Sequence, residues 1–307
     1  MDYQAVLEEI YEEIKPHFGE GKVADYIPAL ASVDPNQFAF SITLTDGRSF
    51  NIGDSRKHFS VQSISKVFTF TLALNLFSRD IYKKVGVEPS GNPFNSLVQL
   101  EYENGKPRNP FINAGAIAIT DSLIAHYGDD YKAFEVIINF IRDIVDDSSI
   151  TFDQVVSTSE MDHGYRNLSL ANLMKSFNNL DNEPKKVVNT YFKHCAISMN
   201  SEQLSRAMLF LANNGVDPIA KKEYITPQQA KRINSVMLTC GHYDASGEFA
   251  FYVGLPGKSG VGGGVVAVVP NKMAICVWSP ALNKFGNSHL GTLALMKFVE
   301  KTGLSIF

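Results

Sequence analysis

The sequence predicts a mixed fold of the α/β class, α+β in layout. An antiparallel sheet is built from N- and C-terminal strands and flanked by helices, with a helical lobe inserted between them. Three observations predict it. Two-residue apolar alternation appears near residues 38–52 and short strand-like apolar runs return beyond residue 249, while the stretch between repeats with a helical period. Neighbouring strand candidates are joined by only a few residues, which suits antiparallel and not parallel pairing. At 307 residues the chain can bury a sizeable core without metal or disulfide staples.

Taken in order, Leu7, Ile10, Tyr11 and Ile14 form one apolar stripe on an N-terminal helix that Pro16 and Gly19-Glu20-Gly21 end. Phe38, Phe40, Ile42 and Leu44 alternate along a first strand, Asp46-Gly47 suits a tight hairpin, and Ser49–Ile52 starts the return. Helices are expected over Ser60–Phe77, Asn113–Tyr127, Tyr131–Val145, Ser169–Leu180, Ser201–Asn214 and Pro227–Thr239. The Gly-, Pro- and Asn-rich stretch Val85–Asn109 is expected to be one long loop, a length that is often functional. Phe249–Val253, Val265–Val269 and Met273–Trp278 read as three strands, with Pro270-Asn271 as a turn. Ser288–Lys301 reads as a final helix. The expectation is a single domain, 1–307, with a sheet lobe near 1–59 and 220–307 and a helical lobe near 60–219. A cleft between the lobes would suit a small molecule.

Composition excludes several classes. With 28 basic and 32 acidic side chains, a net charge of -4 provides no field for nucleic acid or an anionic membrane. The seven histidines show no ligand-like spacing, so neither a metal nor another cofactor is expected. Three cysteines, Cys195, Cys240 and Cys276, are too few for a disulfide framework and fit a reducing compartment. The acidic first turns lack the charge and apolar run of a secretory signal, and Val67–Phe77 is too short to span a bilayer. A cytoplasmic protein is expected.

Chemistry is concentrated in two stretches. Ser63 and Lys66, in Gln62-Ser63-Ile64-Ser65-Lys66, lie three apart at a helix start and project from nearly one face. A serine hydroxyl needs a base to become a nucleophile, and a desolvated lysine can serve. This is the S-x-x-K arrangement of serine acyl-transfer enzymes. The second stretch is Gly257-Lys258-Ser259-Gly260-Val261-Gly262-Gly263-Gly264, in which Lys258-Ser259-Gly260 matches the K-[ST]-G strand of the same enzymes. A phosphate loop is excluded because its first glycine would fall at Tyr252 and strands, not a helix, follow. A bridging S-x-N or Y-x-N element is missing, since Tyr191 is followed by Phe192-Lys193, which weighs against a β-lactamase or transpeptidase.

Further strings bring a specific resemblance. Lys22-Val23-Ala24-Asp25-Tyr26-Ile27-Pro28, Val85-Gly86-Val87-Glu88-Pro89-Ser90-Gly91, Phe94-Asn95-Ser96 and Asn109-Pro110-Phe111-Ile112-Asn113-Ala114-Gly115 precede Ser159-Glu160, Arg166-Asn167, Tyr191-Phe192 and Gly241-His242-Tyr243-Asp244. Ser279-Pro280 and Gly286-Asn287-Ser288 complete the series. In order and spacing, over roughly residues 20 to 290, the chain resembles the serine-dependent glutaminases of bacterial type, which are similar in fold to β-lactamases.

The resemblance implies hydrolysis of L-glutamine to L-glutamate and ammonia without a cofactor. It implies Ser63 as nucleophile, Lys66 as base, Tyr243 as proton donor and water activator, and Tyr191 as relay or substrate contact. The two tyrosine roles are not separable at this level. It further implies that Glu160 meets the α-ammonium and that Asn113, Asn167, Tyr26 and Gln62 bind the free amino-acid end. Val261 would share the oxyanion with the Ser63 N–H. A homo-oligomer, dimer or tetramer, is implied as well. The alternatives are another S-x-x-K hydrolase, or a non-catalytic glutamine-binding module on the same fold.

Overall fold

The computed structural model describes residues 1–91 and 95–307, so Phe94 of the quoted strings lies outside the described residues. Its centre is a five-stranded antiparallel sheet. The strands are β1 (Ala39–Leu44), β2 (Ser49–Gly53), β3 (Gly257–Ser259), β4 (Gly264–Val269) and β5 (Met273–Trp278), ordered β2-β1-β5-β4-β3. The first and last parts of the chain meet in the β1–β5 pair, with Ile42 opposite Ile275. The sheet expected from the sequence is therefore present.

Alternation along the strands divides two cores. Phe38, Phe40, Ile42 and Leu44, with Val265, Ala267, Ile275 and Val277, face the helices Tyr3–Ile14 and His289–Thr302, which contribute Leu7, Ile10, Leu290 and Phe298. The intervening residues Val266, Val268, Ala274, Cys276 and Trp278 join the larger apolar body made by the middle helices. Ser41 and Thr43 on this second face pair their hydroxyls with Ser201 and Ser205, both at 2.8 Å. Two polar contacts thus seat the helix Ser201–Ala207 on the sheet.

Several boundaries differ from expectation, each for a physical reason. The helix expected from Ser60 begins at Ser65. Phe59–Ser60 is drawn into a strand with Ile197–Met199, and Gln62–Ile64 makes a 3-10 turn. Phe249–Val253 is not a strand but lies at the helix Ser246–Tyr252 and its end. Phe249 and Val253, four apart, are buried, while Phe251 and Tyr252 are exposed, so the period is helical. The third strand is instead β3, which carries Lys258. The Val85–Asn109 stretch contains the helix Leu97–Tyr102, anchored by buried Leu100. The helix expected over Ser169–Leu180 runs Tyr165–Ser176, before left-handed Asn178, and that expected over Ser201–Asn214 breaks at Met208. Two helices, Gln154–His163 and Pro184–Cys195, were not expected.

The Gly-rich loop after β3 lies against the turn that carries Ser63. A Cβ on Gly260 would stand 2.6 Å from the Val61 carbonyl oxygen, and one on Gly262 2.2 Å from that of Ser60. Only bare backbone fits there. Trp278, stacked on Phe59 at 4.8 Å, donates from Nε1 to the Gly262 carbonyl at 3.0 Å and fixes the loop. Gly262→Ala is expected to lower the thermal midpoint by about 2–6 °C, from overpacking of about 1–3 kcal/mol. A thermal scan checks this, and an unchanged midpoint would show that the loop can move without cost.

Candidate active site

A cavity of about 350 Å³ opens between the Ser63 turn, the ends of four middle helices and the Gly-rich loop. Its walls include Tyr26, Gln62, Ser63, Asn113, Glu160, Asn167, Tyr191, Tyr243 and Val261. Every residue expected to touch a substrate therefore meets in one space, with Lys66 buried next to it. A larger cavity, about 960 Å³, lies beyond Tyr26 and Val261, but it contains neither Ser63 nor Glu160.

Local structure aims these groups. Gln62, immediately before Ser63, has φ of +50°, a region unusual for a side chain with a Cβ. The strained residue turns the chain from strand to helix and sets the direction of Ser63. The Gln62 amide donates to Ser60 Oγ and to Glu160 Oε1, both at 2.9 Å, which locks the turn from outside. Tyr243 also has positive φ, +54°, and follows the helix Pro227–Cys240. Its hydroxyl is hydrogen-bonded to the Ser63 side chain and lies 3.4 Å from the Ser259 carbonyl oxygen.

Lys66 is fully buried. Its Nζ donates to the Phe111 carbonyl at 3.1 Å and to Asn113 Oδ1 at 2.7 Å, and it stands 5.7 Å from the Tyr191 ring centroid. Burial disfavours the ammonium and pushes its pKa down to about 8. Asn113 passes the contact on, donating from Nδ2 to Asn167 Oδ1 at 2.8 Å. Among the described residues of the cavity walls, Glu160 is the one carboxylate. Burial pushes it up to about 7, against the opposing effects of the Gln62 hydrogen bond and the Lys66 charge. Burial likewise raises Tyr191 and Tyr243 well above the ordinary phenol range, so both hydroxyls keep their protons.

Sequence reasoning marked Lys258 only as part of a strand motif. It is a second fully buried lysine, 4.6 Å from the Tyr243 ring centroid, and it donates to the carbonyls of Gly241 and Ser259. Burial and the Lys66 charge hold it well below the usual lysine range. Two donated hydrogen bonds match the two N–H groups of a neutral amine. Lys258 thus braces the carbonyls on both sides of Tyr243 and underlies its ring. Asn95, His163 and Arg166 also line the cavity and were not singled out as site residues. Among the described residues no cluster of side chains suits a metal, and no helix is long and apolar enough to cross a membrane.

A buried serine, two buried low-pKa lysines and two protonated tyrosines around a small cavity suit acyl transfer. The glutaminase family pattern matches residues 21–307. A glutaminase of Aliarcobacter butzleri is 60% identical over 307 residues, all of both chains, and one of Rhizobium etli is 54% identical over 306 residues, covering 100% of this chain and 99% of its own. The solved covalent complex between a Bacillus subtilis glutaminase and 5-oxo-L-norleucine, formed by reaction with 6-diazo-5-oxo-L-norleucine, superposes with a TM-score of 0.90 at 32% identity, covering 100% of each chain. The sheet and its flanking helices have the β-lactamase-like fold of such structures. By sequence, fold and cavity the chain belongs to the glutaminase family and is a glutamine-hydrolysing enzyme.

Proposed function

We propose that hydrolysis of L-glutamine proceeds through a γ-glutamyl ester on Ser63, with Lys66 as general base. The observation that carries this reading is the meeting of Ser63, its Tyr243 hydrogen bond and the buried Lys66 beside one cavity. With both amine hydrogens engaged by Phe111 and Asn113, neutral Lys66 has its lone pair left to take the Ser63 proton. Ser63 Oγ then attacks the amide carbon. The oxyanion is received by the N–H groups of Ser63 and Val261. Tyr243 gives its proton to the departing nitrogen, ammonia leaves, and the ester remains. Water enters, loses a proton to Tyr243, attacks the ester and frees glutamate with the proton returned to Ser63. Tyr191 serves as relay or substrate contact.

Binding follows from the same walls. Glu160 meets the α-ammonium. Asn167, whose Oδ1 is engaged by Asn113, has its N–H2 to offer the α-carboxylate. Gln62 and Asn113 hold these partners, and Tyr26, a half-exposed residue at the mouth, closes over the amino-acid end. The domain is proposed to act as one catalytic unit, 1–307. Family resemblance supports a homo-oligomer, dimer or tetramer, which light scattering would test. Three free, buried cysteines are consistent with a cytoplasmic setting.

Incubation with 6-diazo-5-oxo-L-norleucine tests the nucleophile. The diazo carbon forms a bond to Ser63 Oγ and dinitrogen leaves. Peptide mass mapping should find the reagent less dinitrogen on the Ser63 peptide, in step with the loss of ammonia release. An adduct on another residue, at full inactivation, would overturn the assignment.

A further inference from the structure

The last turn of the helix Pro184–Cys195 supports the Ser63 turn from below through a buried polar chain that the reaction itself does not use. Ser65 Oγ lies 2.8 Å from the Gln62 carbonyl oxygen and 2.8 Å from His194 Nδ1. His194 Nε2 lies 3.1 Å from Thr120 Oγ1, which is also 2.9 Å from the Ala116 carbonyl oxygen. Ser65, His194 and Thr120 are all fully buried. The same helix end accepts from Ser60 Oγ at the Cys195 carbonyl, 3.0 Å, and Val61 N–H donates to Ile197 O at 2.9 Å. Tyr191 stands one turn earlier, its ring edge-on to His194 with centroids 5.2 Å apart.

Counting hydrogens leaves two arrangements. The imidazole is neutral at this depth, since burial and the Lys66 charge push it down to about 3. It therefore has one N–H, and Ser65 and Thr120 have one O–H each. With the proton on Nε2, Nδ1 takes the Ser65 hydrogen and the Gln62 carbonyl keeps only the Ser65 backbone N–H. With the proton on Nδ1, the ring donates to Ser65, Ser65 donates to Gln62, and Thr120 donates to Nε2, so the Ala116 carbonyl keeps only its helix-ladder partner. Each arrangement forgoes one bond, and the Nδ1–H form is the one that keeps the second tie on the Gln62 carbonyl.

We propose that His194, acting through Ser65, is a positioning residue for the Ser63 turn. Its Nδ1–H tautomer directs the Ser65 hydroxyl onto the Gln62 carbonyl and so holds the left-handed backbone that aims Ser63. Such a conformation persists only where its surroundings over-determine it. The inference rests on the reading of Ser63 as nucleophile.

The test compares Ser65→Ala, His194→Leu and His194→Gln in full-length enzyme, using glutamine turnover and the rate of covalent capture of 6-diazo-5-oxo-L-norleucine. Ser65→Ala and His194→Leu should lower kcat roughly tenfold to a hundredfold with KM within about threefold, and slow capture in parallel. His194→Gln, whose amide again offers a donor and an acceptor, should return kcat to within about threefold of the parent. A folded Ser65→Ala enzyme with kcat within about twofold of the parent would overturn the proposal. So would a folded His194→Gln enzyme no better than His194→Leu. Should His194→Leu fail to fold, Ser65→Ala alone decides. Failure of the underlying reading looks different: turnover would survive in Ser63→Ala, or the parent would capture the reagent at another residue.

Discussion

Replacing Ser63 with alanine is expected to lower kcat by about 10⁴-fold or more, and replacing Lys66 with methionine by about 10³- to 10⁴-fold. Combining the two should cost little beyond Ser63→Ala alone, because a base with no serine proton to take has no function left. The steady-state rate of ammonia release reads all three. On the proposed mechanism, Lys66 sets the acid side of the pH profile. Burial pushes Lys66 down to about 8, so the amine is protonated, and idle as a base, below that pH. The parent kcat should therefore rise with pH through about 8, and the residual rate of Lys66→Met should lack that rise. A parent profile that stays flat into acid would exclude Lys66 as the base. A double variant much slower than either single would show that the two side chains act in separate steps.

The isosteric character of these changes bears on how they should be read. Ser63→Ala removes one oxygen from a residue whose main tie is the Tyr243 hydroxyl. Lys66→Met keeps the length of the stem, but it leaves the Phe111 carbonyl and Asn113 Oδ1 without their donor. Some loss of stability is therefore expected for Lys66→Met and little for Ser63→Ala. Substrate affinity provides a control. Asn113 is tied to both Lys66 and Asn167, so the methionine variant should also raise KM modestly through the loosened asparagine pair.

Much of this arrangement was legible in the sequence because spacing and composition act locally. A spacing of three from Ser63 to Lys66 fixes a shared face whatever the rest of the chain does, and glycines at 260, 262, 263 and 264 announce a close approach of backbone. The strand near 38–44 followed from alternation and those near 264–278 from short apolar runs, which two cores on opposite faces of the sheet enforce. What failed were features decided by tertiary contact. Nothing local shows that Phe59 and Ser60 pair with Met199 and Ser198, or that Gln62 takes a positive φ. Phe249 to Val253 misled because Phe249, Phe251 and Val253 alternate while Phe249 and Val253 also lie four apart, so the five residues fit both periods. The helices that hold Glu160 and Tyr191 were passed over, although their starts were marked. Asp153 caps the first through Val155 and Val156, and Pro184 follows the Glu183 cap of the second. The two residues reached the candidate site through family resemblance alone. Lys258 and His194 could not have been weighed from the sequence, since their chemistry depends on burial.

Glu160→Gln is expected to reduce kcat/KM for glutamine by about a hundredfold or more, most of it in KM. The glutamine side chain can still accept from Gln62, so the turn before Ser63 stays in place while the charge proposed to meet the substrate ammonium is lost. Removing one partner of a buried charge pair costs about 2–5 kcal/mol, which spans roughly thirtyfold to several thousandfold. The sign of the pH effect follows from burial. With the cavity empty, Glu160 is pushed up to about 7, so at lower pH it is neutral and must ionise before it can pair with an ammonium. The parent KM should therefore rise as pH falls below about 7, and Glu160→Gln should lose that dependence. Asparagine checks the same anchor from the substrate side. Held by the same ammonium and carboxylate contacts, it falls one methylene short of Ser63, and its kcat/KM should be about a hundredfold lower or worse. Equal turnover of asparagine and glutamine by the parent would mean that the amino-acid end is not held at Glu160. A KM for glutamine unchanged in Glu160→Gln would move the ammonium to another part of the cavity.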